Sequence, residues 1–245
     1  MRVLLPFRTI LPVLLALLAM LLGLMALLTA ASNASADQLR PNPADQAAAR
    51  RDVLHLSDLP PTVKWTASAF NSSGSGSPDS CAALNFDSQQ IVDTGTAKSQ
   101  FATPGLLVMN QVGLVAQSSM VALMWKHTFA RSLTRCLTDA FNRGAAGRLT
   151  MVSTTSLPVL PLAPYESAYR LRFQARVHAV TIRGAFDVIA LAGRRTLSIL
   201  MVVGFAGPGS TQATLDLGMS LIDSRLAKII AIRSFPRTAA SSLTA

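Results

Sequence analysis

Three sets of residues in this 245-residue chain have types that could do chemistry. The first is a pair of thiols, Cys81 and Cys136, and a chain with two cysteines cannot build a multi-cysteine zinc module. The second is a thin supply of general acids and bases: His55, His127 and His178, with Asp93, Glu166, Asp187, Asp216 and Asp223. These are scattered, with no HExxH, no histidine pair four apart, no G-x-S-x-G elbow and no S-x-x-K. No glycine-rich loop opens a helix in the phosphate-cradling arrangement. The expectation is therefore no catalytic residue, no metal site and no cofactor.

The third set is arginine. Between Tyr169 and His178 the chain alternates strictly: Leu171, Phe173, Ala175 and Val177 project one way, and Arg170, Arg172 and Arg176 the other. Arg183 follows after the next turn. Side chains two apart on a strand stand together, and guanidinium groups grip carboxylate or phosphate with two parallel hydrogen bonds. Arg170, Arg172, Arg176 and Arg183 thus form a candidate anion-binding face. The plainer reading is the solvated side of an edge strand, where charge also discourages sheet-to-sheet pairing.

The elements that must position these residues follow from hydrophobic period. Thr62–Phe70 alternates as a strand, and extended segments at about 90–101 and 106–115 are joined by a Thr103-Pro104-Gly105 turn. Apolar residues at steps of three and four from Gln117 to Asn142 predict a long helix ended by Gly144. A strand at about 148–155 leads into the proline-rich crossover 157–164. Phe186–Leu191 and Thr196–Phe205 are apolar on both faces and predict buried central strands, with Ala192-Gly193-Arg194 between them. Gln212–Ile230 predicts a closing helix with Leu215, Met219, Ile222, Leu226, Ile229 and Ile230 on one stripe.

The N-terminus carries an address. Arg2 and Arg8 precede an uncharged run from Thr9 to Asn33, and the small-x-small site Ala34-Ser35-Ala36 follows. A basic start, an apolar middle and such a site describe a secretory signal peptide. The run is also long enough to cross a bilayer, so an uncleaved signal anchor is the rival. Either way residues 37–245 are placed outside the cytoplasm, secreted or held at the cell envelope. In that compartment a Cys81–Cys136 disulfide is expected, the alternatives being two free buried thiols or a redox pair, whose usual Cys-x-x-Cys spacing is absent. The division expected is a signal segment 1–36, a flexible leader 37–57, a single α+β domain 58–232 and a loose tail 233–245.

The composition is half apolar, which excludes disorder for most of the chain. The net charge is +10, from 22 basic against 12 acidic residues. A basic exported protein is drawn to anionic lipid or wall polymer. Nucleic acid is not expected, because no recognition motif accompanies the charge.

Taken with the Asp58-Leu59-Pro60 opening, the Trp65 strand, the Cys136 helix, the Gly193-Arg194-Arg195 hairpin and the closing helix, residues 57–232 resemble the PsbP-like α/β/α sandwich of exported proteins in high-GC Gram-positive bacteria. That group includes lipoproteins, and this chain departs from them in having no lipid-anchor cysteine. The resemblance implies an α+β fold in which two long amphipathic helices cover an antiparallel sheet. A weaker likeness is to extracellular sensor domains of bacterial serine/threonine kinases, although no kinase domain is present. Neither likeness supplies functional residues. The expected function is a non-catalytic envelope protein that binds an anionic or amphiphilic component. An enzyme with an unrecognised site and a sensor-like domain are the alternatives.

Overall fold

Thr196–Phe205 is apolar on both sides, so as a strand it needs cover on both faces. It lies at the centre of a seven-stranded sheet. The computed structural model describes residues 40–68, 91–126, 149–158, 161–177, 180–206 and 210–235. Its strands are β1 (Thr66–Ala67), β2 (Asp93–Thr103), β3 (Leu106–Val115), β4 (Leu149–Ser156), β5 (Tyr165–Val177), β6 (Val180–Gly193) and β7 (Thr196–Phe205). The order across the sheet is β1-β2-β3-β7-β6-β5-β4, and every pairing is antiparallel. Short turns join β2 to β3 and β6 to β7. Gly105 takes a φ of +82° in the first, a conformation that glycine adopts at little cost.

The alternation sorts the core into two layers. On one face Met109, Phe173, Phe186, Val188 and Met201 pack together. On the other, Val108, Ile189, Leu200 and Val202 pack against Met219, Leu226 and Ile230 of a C-terminal helix. Among the described residues three α-helices accompany the sheet: α1 (Pro43–Asp52), α2 (Ser118–Met124) and α3 (Gln212–Ser234). Helix α3, 23 residues long, begins at Thr211, whose hydroxyl accepts the Thr214 amide at 3.1 Å.

Two expectations change here. The architecture of two long helices covering the sheet is not found, and with it goes the PsbP-like sandwich. Among the described residues there is mostly sheet, with three helices of which only α3 is long. Of the predicted helix Gln117–Asn142, the described helix is Ser118–Met124, set by Val121 against Ile91, Val115 and Ala192. Residues 127–148, with Cys136 and His127, lie outside the described residues, as does Cys81. The broad α+β class is compatible with this architecture.

The second change concerns the leader. Residues 43–52 form a helix docked on β2 and β3, with Ala49 fully buried beside Val112 and Leu114. Asn42 caps it, accepting the Ala44 and Asp45 amides on its side chain, and Pro43 opens the first turn. Of the expected Thr62–Phe70 strand, the described strand is Thr66–Ala67 at the sheet edge, and residues 69–70 lie outside the described residues. No described helix is long and apolar enough to cross a membrane, and the apolar run 9–33 lies outside the described residues.

Candidate functional site

The register of β5 against β6 sets Arg170 directly opposite Asp187. Both side chains project towards α3, which lies over that face. Asp216, Ser220 and Asp223 recur on α3 at steps of four and three, so they share the side turned to the sheet. Five polar groups converge there beneath the helix.

Arg170 is the centre. Its Nε donates to both Asp187 oxygens at 2.8 and 3.1 Å, and its Nη2 to Asp187 Oδ2. Its Nη1 donates to the Asp216 carbonyl at 3.0 Å and its Nη2 to Ser220 Oγ at 3.1 Å. Arg172, two residues on, grips Asp216 Oδ2 through Nε and Nη2 at 3.0 and 2.8 Å. Gln212 holds the other Asp216 oxygen at 3.1 Å.

Asp223 is the exception within this network. Neither of its oxygens receives a hydrogen bond, and Arg170 Nη2 stands 3.6 Å away. Burial first, then a hydrogen bond and charge from Asp187, push its carboxyl up to about 10, against a smaller pull from Arg170. The charge balance agrees. Two guanidiniums neutralise two carboxylates, and a third ionised acid in a buried site would be uncompensated. Asp223 is therefore the acid of this cluster that keeps its proton. Asp216 behaves oppositely. Partial burial works to raise it, but the hydrogen bonds from Arg172 and Gln212, with the charges of both arginines, hold it below the ordinary carboxylate range.

Arg170 is 3% exposed and Asp187 not at all, so no substrate or anion reaches either group in this arrangement. What the cluster does chemically is fasten α3 to the sheet. Two further arginines fasten other elements. Arg195, in the β6–β7 turn, pairs with Asp45 of α1 and donates to the Val115 carbonyl. Arg233 near the end of α3 holds both oxygens of Asp58 and reaches the Val53 carbonyl at 3.4 Å. Asn110 completes the polar interior. Its Oδ1 accepts the Leu54 amide at 2.9 Å, and its Nδ2 donates to Ser198 Oγ and the Ile199 carbonyl.

The predicted anion-binding face is thus corrected at its core. Arg170 is buried and Arg172 half-buried, and both are occupied by the chain's own aspartates. The alternation is as predicted, but the arginine side faces α3 and not solvent. The backbone of Arg176 lies in β5 opposite Thr181, and its side chain lies outside the described residues. Arg183 is exposed on β6, opposite Gln174 on the same sheet face, and makes no ion pair among the described residues. His55 is exposed, and His178 lies outside the described residues. Glu166 accepts the Leu162 amide at 2.9 Å, and burial raises Asp93.

One signal in the sequence does point to the buried cluster. Asp223 falls on the apolar stripe of the closing helix, between Met219 and Leu226. An acid on a buried stripe requires a partner, and a strand of alternating arginines supplies one. The pairs Arg195–Asp45 and Arg233–Asp58 have no comparable signal, because each joins segments about 150 residues or more apart.

Comparison with known proteins adds no function. No family matches this chain, and no curated protein matches it. Among solved structures it is similar to a Pseudomonas aeruginosa protein of unknown function, at 8% identity and a TM-score of 0.27. That likeness covers 54% of this chain and 80% of the other, and at this level it carries no argument.

Proposed function

We propose that this chain works outside the cytoplasm as a non-catalytic module that binds an anionic or amphiphilic component of the cell envelope. The observation that carries this reading is how the fold distributes its charge. Asp45, Asp52, Asp58, Asp187, Asp216 and Asp223 all lie within ion-pair distance of the chain's own arginines. Glu166 is taken up by a backbone amide. Meanwhile Arg50, Lys64, Arg183, Arg194, Arg225 and Lys228 are exposed and make no ion pair among the described residues. Among the described residues the unpaired exposed charge is therefore cationic, and such a surface attracts polyanions and anionic headgroups. The export signal read from Arg2 to Ala36 supplies the compartment in which those partners occur.

The test is binding of the exported protein to anionic wall polymer and to anionic lipid vesicles across a salt series. Retention that weakens as salt rises is expected, since exposed charges are screened beyond about 8 Å at physiological ionic strength. Failure to bind either material at low salt overturns the reading.

A further inference from the structure

The outward side of α3 gathers three of the seven exposed large hydrophobics among the described residues. Leu217, Leu221 and Ile232 are 64%, 66% and 64% exposed. Arg225 and Lys228 are exposed between them. At 100° per residue these five positions fall within one stripe about 80° wide, opposite the buried Met219, Leu226 and Ile230. From Leu217 to Ile232 the stripe runs about 22 Å. It carries no acid, because Asp216 and Asp223 are both turned inward to the arginines of β5. Single exposed leucines are ordinary on protein surfaces, but leucines four apart followed by two cations on one helix face make an amphiphilic surface.

We infer that this stripe is where the protein docks on an anionic lipid bilayer, with α3 lying along the surface. The inference rests on the envelope-binding reading above and narrows its partner to lipid. Charge complementarity selects the occupant. Arg225 and Lys228 suit the phosphate level of the interface, and the leucines suit the acyl boundary beneath it. Arginine and lysine stems lie along apolar surface while their heads stay in water, which keeps both cations beside the leucines. The inner side of α3 is fastened by Arg170, Arg172 and Arg233, so the stripe is presented on a fixed helix.

The experiment adds the full chain to vesicles of phosphatidylglycerol or of phosphatidylcholine. The N-terminal segment with Arg2 and Arg8 is the same in every variant, so the change in the ratio of the two partition constants between variants is the reading. The wild-type protein should prefer phosphatidylglycerol, and its amides over 213–232 should gain protection from hydrogen exchange on those vesicles. Arg225→Gln with Lys228→Gln should lower the preference about 25-fold, from the roughly fivefold that each cation contributes near an anionic surface. Leu217→Gln with Leu221→Gln should lower partition about tenfold or more, with melting temperature unchanged. The control, Arg40→Gln with Arg50→Gln, removes the same charge elsewhere and should have a smaller effect.

Equal losses in the control and the α3 cation variant, or no added protection over 213–232, overturn the inference. So does a dimer that the leucine variant dissolves, because a second copy then covers the stripe. Salt-sensitive binding to wall polymer without vesicle binding also overturns it while leaving the wider reading intact. Absence of binding to both removes the two together.

Discussion

Replacing Asp223 by asparagine should stabilise this protein, and increasingly so as pH rises. Asp223 is 4% exposed, receives no hydrogen bond, and is held protonated up to about pH 10 by burial and by Asp187. In the unfolded chain its carboxyl ionises near its ordinary value of 3.8. The folded value is raised, so the associated stability is fully present below 3.8 and is lost progressively up to the folded value. Between those limits the unfolded state sheds a proton that the native state keeps, at a cost of about 1.4 kcal/mol per pH unit. By pH 7 the loss is on the order of 4 kcal/mol, a large share of the 5–15 kcal/mol that typically separates a domain from its unfolded chain. Asparagine keeps the shape, remains neutral in both states and can still donate to Asp187. The assay is urea denaturation of both proteins between pH 4 and pH 9, followed by the fluorescence of Trp65 and Trp125. The difference in unfolding free energy should be near zero at the acid end and widen upwards. Titrations shared by the two proteins, such as those of Asp58 and Asp216, cancel in the difference. A pH-independent difference, or a variant less stable than wild type at pH 7, would refute the reasoning. Asp223 would then be ionised and held by Arg170 across the 3.6 Å gap.

Four other perturbations test the remaining fastenings. Arg170→Met leaves the buried Asp187 without its guanidinium, while Asp216 keeps Arg172, and should cost about 3–5 kcal/mol by chemical denaturation, with Arg170→Met/Asp187→Leu/Asp223→Leu recovering much of it. Asn110→Ala strands the buried Leu54 amide and should cost about 1–3 kcal/mol, read as a lower melting temperature. Gly95→Ala places a Cβ 2.5 Å from the Asp45 backbone, which cannot swing aside, and should cost about 1–3 kcal/mol and loosen exchange protection in α1. Burial works to raise Asp58, but hydrogen bonds from Arg233 and the His55 amide and the Arg233 charge hold it low, so its contribution is lost as pH falls below about 3.8. Arg233→Gln should flatten that acid limb of the stability profile.

Local pattern was enough for much of this fold. The limits of β3 and β7, the turn at Pro104-Gly105, the hairpin after Gly193 and the start of α3 at Gln212 are all legible in the sequence. Each rests on neighbours within a few residues, through alternation, a turn residue or a helical stripe. The division of β5 into an apolar and an arginine side was legible for the same reason. The leader was misread because α1 is alanine-rich and weakly amphipathic. Its one local mark, Asn42 before Pro43, is a capping signal that flanking charge obscured. The apolar side of β5 had to be buried, but a period of two does not say that its arginine side is covered as well, and the one signal for that is Asp223 on the apolar stripe of the closing helix. That was decided by α3 returning over the arginines with Asp216, Ser220 and Asp223. It turned Arg170 from a surface cation into the buried centre of an ion-pair network. Pairing across 40 or more residues depends on the path of the whole chain, and a desolvated charge accepts no other arrangement than the one that brings its partners to it.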